Sequence, residues 1–204
     1  MSDNDSADAP KHPWWSDVYI DDQDHPENQF YTPAEKRAQY HESLGRFVTD
    51  FAEAEALLRY MCAKATEMPD DMAGLILGDI GIASGAQLLK RLRDVRGLNP
   101  NEDLADALQQ FGDISETRNA ILHRGVEFGE QVFTTKPGLP NSRRRQYQIS
   151  TLVLEAMSDD LLAIRFALIM SLPSDDPRLA AWGQGIRNPE RVPWRYKHAP
   201  LPRL

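Results

Sequence analysis

Between Pro33 and Pro173 apolar side chains recur every three or four positions, the period of helices that each bury one face. Tyr40, Leu44, Phe47, Phe51, Leu58 and Met61 or Cys62 share one stripe. They predict a long core helix from Thr32-Pro33-Ala34-Glu35, where Thr caps, Pro takes the first position and Glu closes the capping box, to about Thr66. Pro69-Asp70-Asp71 opens a short helix through Leu77, which Gly78 and Gly81 break. A third helix, about Ile82 to Arg96, turns Leu88, Leu89, Leu92 and Val95 inward and Lys90, Arg91, Arg93 and Arg96 outward. Asn99-Pro100-Asn101-Glu102 caps a fourth, with Leu104, Leu108, Phe111, Ile114 and Ile121/Leu122 as its apolar positions. Stepping 104, 108, 111, 115, 118, 122 along it places Arg118 on the buried side. Val126 to Thr134 alternates about a Gly-containing turn and reads as a small hairpin, with Tyr147 and Ile149 as a further short strand. Ser150 or Thr151 starts the last long helix, whose stripe of Leu154, Met157, Leu161, Ile164 and Leu168 ends at Pro173. The fold class is therefore all-α: a helical bundle with a small β-hairpin insertion before the last long helix.

The chain's 204 residues suffice for one domain with a full core. Three segments are expected: an acidic N-terminal extension (1–32), a helical domain (33–172) and a Pro-rich basic C-terminal tail (173–204). The net charge of −8 argues against bulk attraction to polyanions. Its distribution changes that picture, since residues 1–32 hold eight acids and one lysine while 173–204 hold six bases and three acids. A nucleic-acid site would have to be a local patch. Trp14, Trp15, Tyr19, Phe30 and Tyr31 stand among the N-terminal charges, and a solvated tail or aromatic docking both fit. The C-terminal tail, with Trp182 and Trp194, is expected to pack in extended form on the surface. Cys62 is the single cysteine, so there is no disulfide framework and no cysteine-based metal site. No run reaches the length of a membrane span, no membrane partner is expected, and the cytoplasm is the expected compartment.

The chemistry concentrates in Glu116-Thr117-Arg118-Asn119-Ala120-Ile121-Leu122-His123-Arg124-Gly125. An arginine on a core face needs a partner. Glu55, on the stripe of Phe51 and Leu58, is the candidate. His123 follows at the helix exit, and Gly125 offers the backbone freedom that ends many helices. Arg118-Asn119, three residues, then His123 resembles the R-x4–6-H motif of the HEPN superfamily, over roughly Pro33 to Leu172. The resemblance implies a HEPN-like bundle that cleaves RNA without metal or other cofactor. In that reaction the 2′-hydroxyl attacks the adjacent phosphate, His123 is base or acid, Arg118 grips the phosphate, Asn119 orients, and Glu55 supports. It also implies a homodimer, so that two motifs supply two histidines, with RNA and a cognate antitoxin or regulatory protein as further partners.

A second reading is a non-catalytic HEPN-like module that binds a partner protein, RNA or nucleotide through the same patch. In it Arg118 pairs with Glu55 to join two helices, and His123 caps carbonyls. Arg124 and the Arg143-Arg144-Arg145 run add candidate RNA-phosphate contacts, although such a run taken alone is more often a solvated loop. Gly81-x-x-x-Gly85 lacks the Gly-Lys-Ser/Thr close of a nucleotide loop. His12, His25, His41 and His198 show no metal-ligand spacing, and Cys62 belongs to the core.

Overall fold

The computed structural model describes residues 33–97, 101–128, 132–134, 146–171, 176–177, 179 and 193–198. The N-terminal extension, Arg143–Arg145 and Trp182 lie outside them. Five helices are described: α1 (Pro33–Thr66), α2 (Asp70–Leu77), α3 (Ile82–Val95), α4 (Glu102–Arg124) and α5 (Thr151–Ile169). Helix α1 is the hub, packing against α2, α3 and α5, while α4 packs against α5 and α3. Phe47, Leu89, Phe111, Ile114, Leu154, Met157, Leu161, Ile164 and Leu168 are fully buried in one core. Each such side chain stabilises the fold by roughly 1.5–3 kcal/mol through its removal from water. Phe51 of α1 meets Phe111 of α4 edge-on, with ring centroids 5.4 Å apart.

Local chemistry sets the helix ends. The Asn101 side chain accepts from the Leu104 N–H at 3.0 Å and begins α4. Ser150 accepts from the Val153 N–H and begins α5 in the same way. At the other end of α4, the Gly125 N–H donates to the Ile121 carbonyl at 2.9 Å with φ 73° and ψ −169°. Only glycine takes that conformation without strain. At Gly85 a Cβ would lie 3.2 Å from Leu58 Cδ2, so this glycine serves the close packing of α3 on α1.

Beyond α4, β1 (Val126–Phe128) pairs antiparallel with β2 (Val132–Thr134), Val126 opposite Thr134. The Thr134 N–H donates to the Tyr147 carbonyl and the Ile149 N–H to the Val132 carbonyl, at 2.9 and 2.8 Å. Residues 147–149 thus lie along β2 and lead straight into α5.

Two placements differ from the periodicity. The buried positions of α4 are Leu104, Ala107, Gln110, Phe111, Ile114, Thr117, Ala120 and Ile121, so the core stripe is turned by about one residue. Thr117 rather than Arg118 faces inward, and Leu122 is 46% exposed. On α3 the inner face is Ile82, Gly85 and Leu89, which rotates Val95 out of the core, 85% exposed. Arg93 conversely reaches inward to donate to the Ser171 carbonyl.

Candidate functional site

The last three turns of α4 carry two polar groups on different sides. Towards α1, the half-buried Arg118 guanidinium stacks 4.9 Å from the centre of the Phe51 ring. Its Nη1 donates to Asn119 Oδ1 at 3.0 Å. The ring face supplies part of the counter-potential that a carboxylate would otherwise give. Glu55 is not that carboxylate. Its Oε1 pairs with Arg59 Nη2 at 3.0 Å, because Arg59 is one turn along the same helix and reaches it first. The expected Glu55–Arg118 bridge is therefore corrected to an Arg118–Phe51 stack beside a Glu55–Arg59 pair.

His123 is exposed, and its ring makes no hydrogen bond or ion pair among the described residues. It stands five helical positions beyond Arg118, about 7.5 Å along the axis and about 140° around it. One chain thus presents both side chains to solvent at the same helix end without joining them. Arg124, next in sequence, is half-buried with its guanidinium 5.9 Å from the centre of the Tyr147 ring.

A second polar cluster was not foreseen from sequence. Residues 193–198 run along α4 in its own direction, touching it first at Asp106 and last at Glu116. Trp194 Nε1 donates to Asp106 Oδ2 at 2.7 Å. Gln110 Nε2 donates to the Tyr196 carbonyl at 2.9 Å. Tyr196 Oη and Thr117 Oγ1 share a hydrogen bond of 2.6 Å. His198 Nε2 reaches Glu116 Oε2 at 3.4 Å, and Tyr147 Oη donates to Glu116 Oε1 at 2.5 Å. The Tyr147 and His198 rings lie 5.5 Å apart. Burial, then the hydrogen bond to Glu116, push the Tyr147 phenol well above its usual range. Glu116 and His123 are two turns apart on one face of α4, about 10.5 Å along the axis. The Glu116–Tyr147–His198 group therefore borders the helix end that His123 occupies.

Asp160 of α5 anchors this segment from below. Its buried carboxylate accepts from Gln110 Nε2 at 2.8 Å and from the backbone N–H groups of Arg195 and Tyr196 at 2.9 and 2.8 Å. Burial raises its pKa, against the pull of those three donors. His198 reads as one of several scattered histidines until the fold carries it to Glu116. The one signal in the sequence is the Trp194–Tyr196 aromatic pair among the basic residues Arg195 and Lys197.

Cys62 is core, with burial pushing its thiol up to about 11. No group of three or more His, Cys, Asp or Glu suited to a metal ion occurs among the described residues. None of the described helices is long and apolar enough to cross a membrane. No family model, curated protein or solved structure matches this chain.

Proposed function

We propose that the end of α4 is the active site of a metal-independent endoribonuclease of toxin or defence type, built on a HEPN-like bundle with its hairpin before α5. The observation that carries the reading is that one helix end holds both an exposed, unengaged His123 and a solvent-reachable Arg118 whose fork is oriented by Phe51 and Asn119. In the reaction the 2′-oxygen attacks phosphorus and the bond to the 5′-oxygen breaks. One imidazole takes the 2′-hydroxyl proton and another gives a proton to the leaving 5′-oxygen. Arg118 compensates the charge on the non-bridging oxygens with paired donors. Asn119 fixes that fork, and Arg124 lies beside His123 for RNA phosphate contact. Glu55 supports only the neighbouring turn of α1 through Arg59. One chain offers one histidine of the motif, so the active species is a twofold homodimer whose α4 ends face each other. Leu122, exposed between Arg118 and His123, suits such a contact.

The same Leu122 favours the second reading, a binding module for a partner protein, because it sets an apolar side chain amid the polar groups. The two readings separate by mutation. His123→Ala should lower cleavage about 10²–10⁴-fold while leaving the fold intact. Arg118→Lys keeps the charge but loses the fork, and should stay folded and largely inactive. Wild-type cleavage by His123→Ala would remove the catalytic assignment and leave the binding reading.

A further inference from the structure

We infer that the outer face of α2 is a docking surface for a basic amphipathic helix of another protein. The inner face of α2 is apolar in the ordinary way, with Ala73 and Leu77 buried towards α1. The outer face is apolar too. Met72, Leu75 and Ile76 stand at positions i, i+3 and i+4 of the helix, one stripe, with Met68 exposed just before its first turn, and Leu75 is 86% exposed. They are four of the seven large apolar side chains exposed among the described residues. A helix that is apolar both towards the core and on this outer stripe leaves a face that calls for a cover.

Charge selects the cover. Residues 67–79 contain Glu67, Asp70, Asp71 and Asp79 and no lysine or arginine. Glu67 pairs with Arg96 and Asp70 with Lys64. Asp71 and Asp79 make no ion pair among the described residues. Two of the four carboxylates that rim the stripe are thus uncompensated. A second copy would set these carboxylates against themselves, and an anionic lipid surface would be repelled. A helix with leucine-like residues at i, i+3, i+4 and i+7 and lysine or arginine at its flanks satisfies both the stripe and the rim. Two turns of helix offer less than the roughly 1,000 Å² of a stable interface, so the contact is transient and salt-sensitive.

The test uses a labelled Leu/Lys peptide of about eighteen residues and its Leu/Glu counterpart, with binding to the full chain read by fluorescence anisotropy. The Leu/Lys peptide should bind and the Leu/Glu peptide should not. Leu75→Ser with Ile76→Ser, both solvent-facing, should weaken binding at least about tenfold. Asp71→Asn with Asp79→Asn should weaken it and flatten its salt dependence. Equal binding by the serine variant, no binding by the wild type, or binding of both peptides alike would overturn the inference. So would a wild-type dimer that the serine variant makes monomeric, since the occupant would then be a second copy. Neutral lipid vesicles that retain the wild type and not the variant would likewise assign the face to a membrane.

Discussion

Arg118 lies between the core and water, over Phe51 and against Asn119, so its removal strands no buried carboxylate. A cation–π contact at such a site contributes about 0.5–1 kcal/mol. Arg118→Ala should therefore lower the urea-unfolding free energy by no more than about 1 kcal/mol while abolishing cleavage. A loss of several kcal/mol would mean the arginine is chiefly architectural. Asp160 is the opposite case, a carboxylate that burial has made harder to ionise. Because its folded pKa is raised, the stability it contributes is fully present below its unfolded pKa. That contribution is lost as pH rises through the folded value. Asp160→Asn should remove this component from the pH dependence of the urea midpoint above the ordinary carboxylate range of about 4. It should also cost about 1–3 kcal/mol, because an amide cannot accept from all three donors. An unchanged pH slope would contradict the raised pKa.

At the scale of elements, the strap of residues 193–198 and the Gly125 stop hold the end of α4 in place. Tyr196→Ala should cost about 3–5 kcal/mol as a buried aromatic. Tyr196→Phe should cost less, about 1–2 kcal/mol, for the hydroxyl's hydrogen bonds to Thr117 and His198. Thermal melts of the two variants would show whether the strap is integral, and a wild-type melt for Tyr196→Ala would show that it is not. Gly125→Ala should cost about 1–3 kcal/mol through its positive φ. Much of this architecture was legible in the sequence. The stripes of α1 and α5 are built of large apolar residues, and the cap at Asn101 and the stop at Gly125 are local signals. The phase of α4 was not legible, because Ala107, Gln110, Thr117 and Ala120 are buried yet small or polar. The Glu55 pairing was misread because a neighbour at i+4 outcompetes a distant arginine. The strap was expected only as extended packing. Its anchors Gln110, Thr117, Glu116 and Asp160 resemble surface residues and lie tens of positions away in the chain.

For the whole molecule, the proposed composite site needs two copies, since a single chain brings Arg118 and His123 to one helix end without bringing them together. Light scattering at micromolar concentration should show a dimer, and a fully active monomer would contradict the composite site. The acidic balance of the chain makes local geometry, rather than overall charge, responsible for any hold on RNA. The central claim is metal-free transesterification at the end of α4, and cleavage of RNA by the purified full chain in excess EDTA tests it most directly. The products should end in 2′,3′-cyclic phosphate, and a substrate bearing a single 2′-deoxy residue at the cut site should be left intact. An RNA left whole in EDTA, or a 2′-deoxy substrate cut as fast as RNA, would contradict the claim.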